Sequence, residues 1–324
     1  MKPPNEHKVW CVSSGSAAVL GLQPLRMDAA PTTAYLMLGE RCQRACAFCA
    51  QARTSVAREG ALSRVIWPGY ETDQVLAALS SSRAEQALRR VCFQVTAAPG
   101  AVSRVRDAVA QVSSATALPI CVSVAVNSLA EIESLLHVGA ERVTLALDAA
   151  TPELYAVAKG GSWTRAISLL ETAARTWPGH LGTHLIVGLG ETERAMVELI
   201  QRLADEKISI GLFAFTPVPG TAWGDRQPPE LGHYRRIQTA LWLIVQGQVR
   251  AEGMRFDEAG HLVDYGILNE RLRALLHDGE PFRTSGCPGC NRPYYNERPG
   301  GTIYNYPQPL TPEQARAAVD LVTN

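Results

Sequence analysis

The sequence carries no excess of charge of either sign, because 31 lysines and arginines balance 31 aspartates and glutamates. A balanced surface gives no electrostatic reason to bind nucleic acid or an anionic membrane. The longest apolar runs fall far short of the ~20 residues that span a bilayer. Residues 1–10 are polar and lack the apolar segment of a signal peptide. We therefore expect a cytoplasmic protein that works without nucleic acid or membrane.

The sequence also lacks the setting in which its cysteines would form a disulfide framework. It has eight cysteines, but without a secretory signal such a number favours metal or redox chemistry in a reducing compartment. The chain has 324 residues, of which 46% are apolar. This length allows two average domains or one α/β barrel, and the composition supplies ample material for a core.

Short apolar runs alternate with amphipathic stretches from about residue 33 onwards. The runs are apolar almost throughout, as is typical of parallel strands buried on both faces. We place strands at residues 35–38, 91–95, 120–126, 143–147, 183–187 and 210–215. Helices are predicted near residues 71–82, 101–112, 128–138, 164–175, 192–206 and 232–248, with Asn127 and Thr192 at two of the starts. Because a closed barrel needs eight such units, we predict an α/β fold built as a partial (β/α)6 TIM-like barrel.

Two extensions flank the predicted barrel, which covers residues 31–250. Residues 1–30 form an irregular N-terminal extension, and residues 251–324 form a C-terminal one. Within the latter, we expect a hairpin or cover at 255–264, a short helix at 266–278 and a closing amphipathic helix at 311–322. Both extensions are expected to cover the barrel mouth.

Three cysteines, Cys42, Cys46 and Cys49, follow the first predicted strand. Their thiols converge on one small object only if the chain curls into a loop. Three thiolates are one short of a closed zinc site or a fully ligated cubane cluster. The next forty residues contain no histidine or cysteine, which favours an iron–sulfur cluster with one open iron. A zinc loop or three unrelated core thiols are the alternatives.

The Cys-x-x-x-Cys-x-aromatic-Cys pattern resembles the cluster motif of the radical S-adenosylmethionine enzymes. The resemblance implies that Cys42, Cys46 and Cys49 hold a [4Fe–4S] cluster whose open iron binds S-adenosylmethionine. Reduction of this cluster by a donor such as ferredoxin or flavodoxin would yield a 5′-deoxyadenosyl radical, with the protein supplying position and exclusion. The aromatic residue, Phe48, would pack near the adenine.

Ligands of such barrels bind at the carboxyl ends of the strands. The second strand ends at Thr96 and lacks the acidic residue that the family often places there, so Thr96 or backbone would contact the methionine amine. Asp148 follows the fourth strand in a segment that resembles one in biotin synthase, which implies a hydrogen bond to the ribose hydroxyls. The alternative is that Asp148 caps a helix beginning near Pro152.

The fifth strand ends in Gly188-Leu-Gly190-Glu191, which resembles the family's turn near the adenosine. Glycines at these two positions permit close approach of backbone to a flat ligand. Two further cysteines, Cys92 and Cys121, lie inside apolar strands. We interpret them as small hydrophobic side chains of the core.

A second cysteine pair, Cys287-Pro-Gly-Cys290, lies in the C-terminal extension. Two thiols at this spacing chelate one metal ion or cluster. Because the termini of a domain often come close together, we expect Cys11 to join them in an auxiliary [4Fe–4S] cluster. Ser285 resembles a serine that ligates the auxiliary cluster of lipoyl synthase. A zinc site, or a thiol pair that only stabilises the tail, is the alternative.

The C-terminal segments Cys-Pro-Gly-Cys-Asn-Arg-Pro-Tyr-Tyr-Asn and Tyr-Asn-Tyr-Pro resemble one subunit of the two-component lipoyl synthases of archaea and some bacteria. The resemblance implies a sulfurtransferase that uses the auxiliary cluster as sulfur donor. Its substrate would be an octanoyl chain on a lipoyl domain or glycine-cleavage H protein, and a second radical S-adenosylmethionine subunit would be its partner. The alternatives are biotin-synthase-like sulfur insertion, methyl transfer or carbon-skeleton chemistry with a structural or electron-relay cluster, and a zinc-binding adaptor without catalysis.

Overall fold

The computed structural model describes residues 9–58, 60–297 and 300–323. The first eight residues of the predicted N-terminal extension lie outside this part of the chain. The strands of the described residues are β1 (Val9–Val12), β2 (Thr33–Leu38), β3 (Ala61–Leu62), β4 (Val65–Ile66), β5 (Gly69–Glu71), β6 (Arg90–Val95), β7 (Ile120–Ser123), β8 (Ala140–Thr144), β9 (Leu181–Val187), β10 (Ser209–Ala214), β11 (Arg255–Phe256) and β12 (Leu262–Asp264).

The helices alternate with these strands through most of the chain. They are α1 (Ser14–Val19), α2 (Thr72–Leu79), α3 (Ser82–Ala87), α4 (Ala101–Ala115), α5 (Leu129–His137), α6 (Pro152–Ala158), α7 (Trp163–Thr176), α8 (Glu193–Asp205), α9 (Leu231–Val245), α10 (Asn269–Leu276) and α11 (Pro312–Thr323). No helix among the described residues is both long and apolar enough to cross a membrane.

The main sheet has eight strands in the order β10-β9-β8-β7-β6-β2-β1-β5. Six strands pair in parallel: β2, β6, β7, β8, β9 and β10. Strand β1 pairs antiparallel with β2, and β5 pairs antiparallel with β1. Strand β10 is therefore one edge of the sheet. The predicted partial (β/α)6 barrel is confirmed, and β1 and β5 widen its sheet beyond the six expected strands.

The predicted fourth strand is displaced along the chain. The sequence favoured residues 143–147, but the strand runs from Ala140 to Thr144. Beyond it, the hydroxyl of Thr183 donates to the carbonyl of Leu145 at 2.7 Å and accepts from the amide of Leu147 at 3.1 Å. A side chain thus replaces the regular ladder here, which sequence periodicity does not reveal.

Helix starts follow local capping chemistry. Thr192 caps α8 as predicted, because its hydroxyl accepts from the amide of Ala195. Helix α5 is capped by Ser128, one residue after the predicted Asn127. Thr151 caps α6, so Asp148 does not serve as the cap that the sequence allowed.

The C-terminal extension begins with the predicted hairpin, in which β11 pairs antiparallel with β12. Helices α10 and α11 follow near the predicted positions. Between them, residues 284–297, which we call the strap, run against the open side of the barrel. The strap starts beside the middle of the edge strand β10, where the amide of Leu212 donates to Ser285 Oγ at 2.9 Å. One opening of the barrel is thereby covered.

Glu193 anchors the barrel to the C-terminal extension. Its fully buried carboxylate accepts from Arg236 at 2.6 Å, from His233 at 2.9 Å and from the amide of Leu262 at 2.6 Å. Burial alone would raise the pKa of Glu193, but these hydrogen bonds outweigh it and lower the pKa to about 2. The ionised form is therefore the one that the folded chain stabilises.

We expect Glu193→Gln to lower the free energy of unfolding by about 3 kcal/mol, because it leaves Arg236 without its buried partner. The carboxylate contribution is present above pH 4.5 and is lost as the pH falls from 4.5 towards 2, since the folded pKa lies below the ordinary value. Denaturant unfolding at pH 7 and at pH 3 measures both effects. Glu198→Gln, on the exposed face of the same helix, is the control. Equal losses for the two variants would contradict the role of Glu193.

Candidate active site

The loop of Cys42, Cys46 and Cys49 follows β2 at the carboxyl end of the barrel. Backbone hydrogen bonds fix its path. The amide of Cys42 donates to the carbonyl of Gln51 at 3.0 Å, and the amide of Cys49 donates to that of Cys46 at 3.1 Å. Between them, Ala47 joins the loop to two later segments of the barrel, since its amide donates to the carbonyl of Ala158 and its carbonyl accepts from the amide of Trp223.

The three thiols of this loop influence one another. The pKa of Cys49 is raised to about 12, chiefly by burial, with further contributions from the neighbouring thiols of Cys46 and Cys42. Burial also raises the pKa of Cys46, with Lys159 acting in the opposite direction. Such thiols become ligands when a metal displaces their protons. This donor set therefore fits a thiolate-bound cluster, although no three metal-binding side chains in the described ranges are already closed into a metal site.

A cavity of about 110 Å³ lies directly beneath the loop. Phe48 and Cys49 form one wall, Asp148 another, and the carboxyl ends of β9 and β10 a third. Phe48 packs against a cluster that includes Phe215 and Trp223. The predicted position of Phe48 beside a nucleoside remains a prediction, and the aromatic lining is compatible with it.

Asp148 is paired with a lysine that the sequence analysis missed. The Oδ2 atom of Asp148 lies 2.7 Å from Nζ of Lys159, and both side chains are buried. Lys159 also contacts the carbonyl of Ala146. Asp148 has a positive φ of 64°, which turns its side chain away from the strand direction. Lys159 ends α6 without any motif of its own, so only the fold reveals this pair.

Thr96 and Glu191 direct their polar atoms at backbone. The hydroxyl of Thr96 donates to the carbonyl of Leu38 at 3.3 Å. The carboxylate of Glu191 accepts from the amides of Gly188, Leu189 and Gly190 at 2.7, 3.0 and 3.1 Å. Both residues shape the carboxyl end of the barrel, and a direct contact with S-adenosylmethionine remains a prediction for each.

Four cysteines meet lower in the lumen. Cys92, Cys121, Cys287 and Cys290 border one cavity of about 50 Å³. The Sγ atoms of Cys121 and Cys287 lie 3.3 Å apart. The sequence analysis assigned Cys92 and Cys121 to the core, but they face the C-terminal cysteines.

The structure does not bring the other two expected auxiliary ligands into this group. Cys11 lies on β1 opposite Met37, three strands away from Cys121. Ser285 uses its hydroxyl oxygen to accept from the amide of Leu212 on β10. The expectation that neighbouring termini bring Cys11 to the C-terminal pair failed because β1 joins the far side of β2.

The sequence profile of the radical SAM superfamily matches residues 36–203, which is more than half of the chain. The chain belongs to the radical SAM superfamily. The matched region contains the Cys42–Cys49 loop, the end of β2, and strands β6, β7, β8 and β9. Strand β10 lies after it. Membership implies a [4Fe–4S] cluster and S-adenosylmethionine, for which the loop supplies the three thiols. No curated protein sequence matches the chain.

Solved structures of radical SAM proteins share the fold. The [FeFe]-hydrogenase maturase HydG from Carboxydothermus hydrogenoformans superimposes with a TM-score of 0.54 and 15% identity, over 75% of this chain and 65% of that one. Methylornithine synthase gives 0.54 and 15%, over 66% and 62%. SuiB from Streptococcus suis gives 0.51 and 13%, over 67% and 47%. The chain thus spans less than two thirds of each neighbour, and the likeness concerns the fold alone.

We expect Cys46→Ala to abolish cleavage of S-adenosylmethionine, because two remaining thiolates hold a cubane cluster poorly. Iron content after anaerobic reconstitution and release of 5′-deoxyadenosine from the reduced protein measure the loss. Cys11→Ala, which changes a cysteine on β1 outside the loop, is the control and keeps both. Undiminished cleavage by Cys46→Ala would contradict the assignment of the loop.

We expect Gly188→Ala to destabilise the radical SAM core more than Gly179→Ala. Both glycines have positive φ, 97° and 84°, and an L-residue there costs roughly 1–2 kcal/mol. A Cβ on Gly188 would lie 2.8 Å from Pro229, whereas one on Gly179 would meet no atom within 4 Å. Denaturant unfolding of the two variants measures the extra cost of the contact with Pro229. Equal losses of unfolding free energy would contradict that cost.

Proposed function

We propose that this radical SAM enzyme is a sulfurtransferase of the lipoyl synthase type. It would insert sulfur into an octanoyl chain carried on a lipoyl domain or H protein. The observation that carries the proposal is the second group of thiols in the same lumen, beneath the cysteine loop. The resemblance of the C-terminal Cys-Pro-Gly-Cys segment to the two-component lipoyl synthases supports the choice of substrate.

The two cavities lie one above the other along the lumen. His184, Phe213 and Tyr295 border both the cavity beneath the cysteine loop and the cavity of the four lower cysteines. The pKa of Tyr295 is raised by burial first, and then by Cys49 on one side and Cys92 on the other. A substrate carbon held beside these three side chains would face the radical source from one direction and sulfur from the other.

The middle of the lumen suits an unactivated carbon chain. Phe213 packs edge-on against His184 and Tyr295, with ring centroids 5.0 and 5.3 Å apart. Burial lowers the pKa of His184 to about 4, so its imidazole is neutral near pH 7. These rings present apolar surface to an aliphatic chain and keep water from a reactive carbon, while the guanidinium of Arg292 lies 4.1 Å from the centre of the Phe213 ring.

The proposed reaction exchanges one C–H bond for one C–S bond at each site of insertion. The hydrogen atom leaves with the deoxyadenosyl group of S-adenosylmethionine, which is cleaved to methionine and 5′-deoxyadenosine after receiving one electron from a reduced ferredoxin or flavodoxin. The new carbon–sulfur bond would take its sulfur from a sulfide of an auxiliary cluster held by cysteines of this chain, and iron of that cluster would accept the one electron that the sulfide gives up.

Partners follow from this chemistry as part of the same proposal. An octanoyl group on a carrier protein needs a protein surface beside the lumen entrance, and a single sacrificial cluster supplies sulfur for a limited number of bonds. A second radical SAM lipoyl synthase subunit would then share the two insertions that make a lipoyl group.

The test is incubation of the reconstituted protein with an octanoylated lipoyl-domain peptide, S-adenosylmethionine and reduced flavodoxin. We expect mass spectrometry to detect a peptide that has gained one sulfur atom, with matching release of 5′-deoxyadenosine. The control is Cys46→Ala, in which neither product forms.

Release of 5′-deoxyadenosine without sulfur in the peptide would contradict the sulfurtransferase proposal. The same assay run with the second subunit present distinguishes this outcome from a missing partner. If sulfur is still absent, a different radical SAM reaction takes its place.

A further inference from the structure

We propose that Cys92, Cys121, Cys287 and Cys290 together bind an iron–sulfur cluster at the base of the lumen. Two ligands come from the strands of the barrel and two from the strap. The inference rests on the proposed function in one respect: the cluster bound by these residues would be the sulfur donor of that reaction. Iron binding at these cysteines is measurable whether or not sulfur is transferred.

The strand register places the first pair. Cys92 on β6 is paired with Cys121 on β7, and both belong to one row across the parallel sheet. Neighbouring strands lie ~4.8 Å apart, and both side chains border the same cavity. Two thiols on adjacent strands at one level of a barrel therefore point at one volume.

The strap places the second pair. Cys287 Sγ lies 3.3 Å from Cys121 Sγ. Two thiolates bound to one tetrahedral ion at a metal–sulfur distance of ~2.3 Å lie ~3.8 Å apart, so these two sulfurs need little movement to share an iron. Cys290 Sγ lies 3.1 Å from the hydroxyl of Tyr35, and Tyr35 is the neighbour of Cys92 in the same row.

Hydrogen bonds to the barrel hold the strap at this position. The carbonyl of Pro288 accepts from Arg90 Nε at 2.8 Å, and that of Gly289 accepts from the hydroxyl of Thr32 at 2.5 Å. Asn291 accepts from the amide of Thr32 at 2.9 Å and donates to the carbonyl of Ala30 at 2.9 Å. These contacts lie between Cys287 and Cys290 and directly after Cys290, so the fold itself brings the cysteines together.

Two arginine side chains lie close to this group of thiols. The Arg90 guanidinium contacts Cys121 Sγ and forms an ion pair with Glu141 at 3.0 Å. Arg292 lies inside the lumen, 4.1 Å from the centre of the Phe213 ring. Fixed positive charge stabilises deprotonated sulfur and offsets the negative charge of a thiolate-bound cluster.

Four cysteine thiols are a ligand set for an iron–sulfur cluster and also for a structural zinc ion. The cavity that they border has a volume of about 50 Å³ and extends to His184, Phe213 and Tyr295. Metal and sulfide content therefore separate the two occupants.

The experiment starts from a chain in which Cys42, Cys46 and Cys49 are all alanine, so that only the second site remains. After anaerobic reconstitution we expect it to retain roughly 2–4 irons with matching sulfide and the electron paramagnetic resonance signal of a reduced cluster. Adding Cys92→Ser or Cys121→Ser should remove most of this iron. Adding Cys11→Ser, the matched control, should leave it unchanged.

The site is overturned if the starting chain binds no iron, if it binds zinc instead, or if Cys11→Ser removes the iron while Cys92→Ser keeps it. A disulfide between Cys121 and Cys287 in anaerobically purified protein would overturn it as well. If a strand variant fails to fold, Cys287→Ser and Cys290→Ser on the strap decide the matter, since loss of iron from either folded variant supports the site and retention overturns it. If this chain binds iron at the second site but the unsubstituted protein transfers no sulfur to the octanoyl peptide, the site is supported and the proposed function is contradicted.

Discussion

The unpaired edge of β10 is the constraint on which the rest of the structure depends. Six parallel strands do not close a barrel, and backbone groups along an open edge need partners. The strap supplies them with side chains: Ser285 accepts from the amide of Leu212, and Asn296 donates to the carbonyl of Ala214 at 2.9 Å. The chain thus covers its edge with a segment that also carries two cysteines. The segment that covers this edge therefore also places Cys287 and Cys290 in the lumen.

This arrangement divides the lumen into two chemically different ends. The upper end has the three thiols expected of a radical SAM enzyme and the buried pair of Asp148 and Lys159. The lower end has four thiols close to arginine side chains. Phe213, His184 and Tyr295 separate them with neutral aromatic surface. The guanidinium of Arg292 lies beside this surface, 4.1 Å from the centre of the Phe213 ring.

The sequence allowed the architecture and the upper cysteine loop to be predicted, because strand patterns and a short motif are local. The superfamily match and the observed sheet confirm the predicted family and architecture. The lower site could not be predicted in the same way. Strands that are apolar on both faces do not reveal which residues face the lumen, so Cys92 and Cys121 were interpreted as core. Cys11 was assigned by nearness of termini, but its position depends on how β1 pairs with β2.

Lys159 and the short edge strands illustrate the same limit. Lys159 reaches Asp148 only because α6 returns over the end of β8, and no spacing in the sequence marks that contact. Strand β1 has four residues and β5 has three, too few for an alternating pattern to be distinguished from a loop. Features set by long-range register became visible only in the folded chain.

The central claim is that one lumen holds two iron sites. Anomalous diffraction at the iron edge, on crystals of the reconstituted protein, tests it most directly. The account predicts two separate iron peaks, one beside Cys42, Cys46 and Cys49 and the other among Cys92, Cys121, Cys287 and Cys290. A single peak at the upper loop, or a second peak beside Cys11, would contradict it.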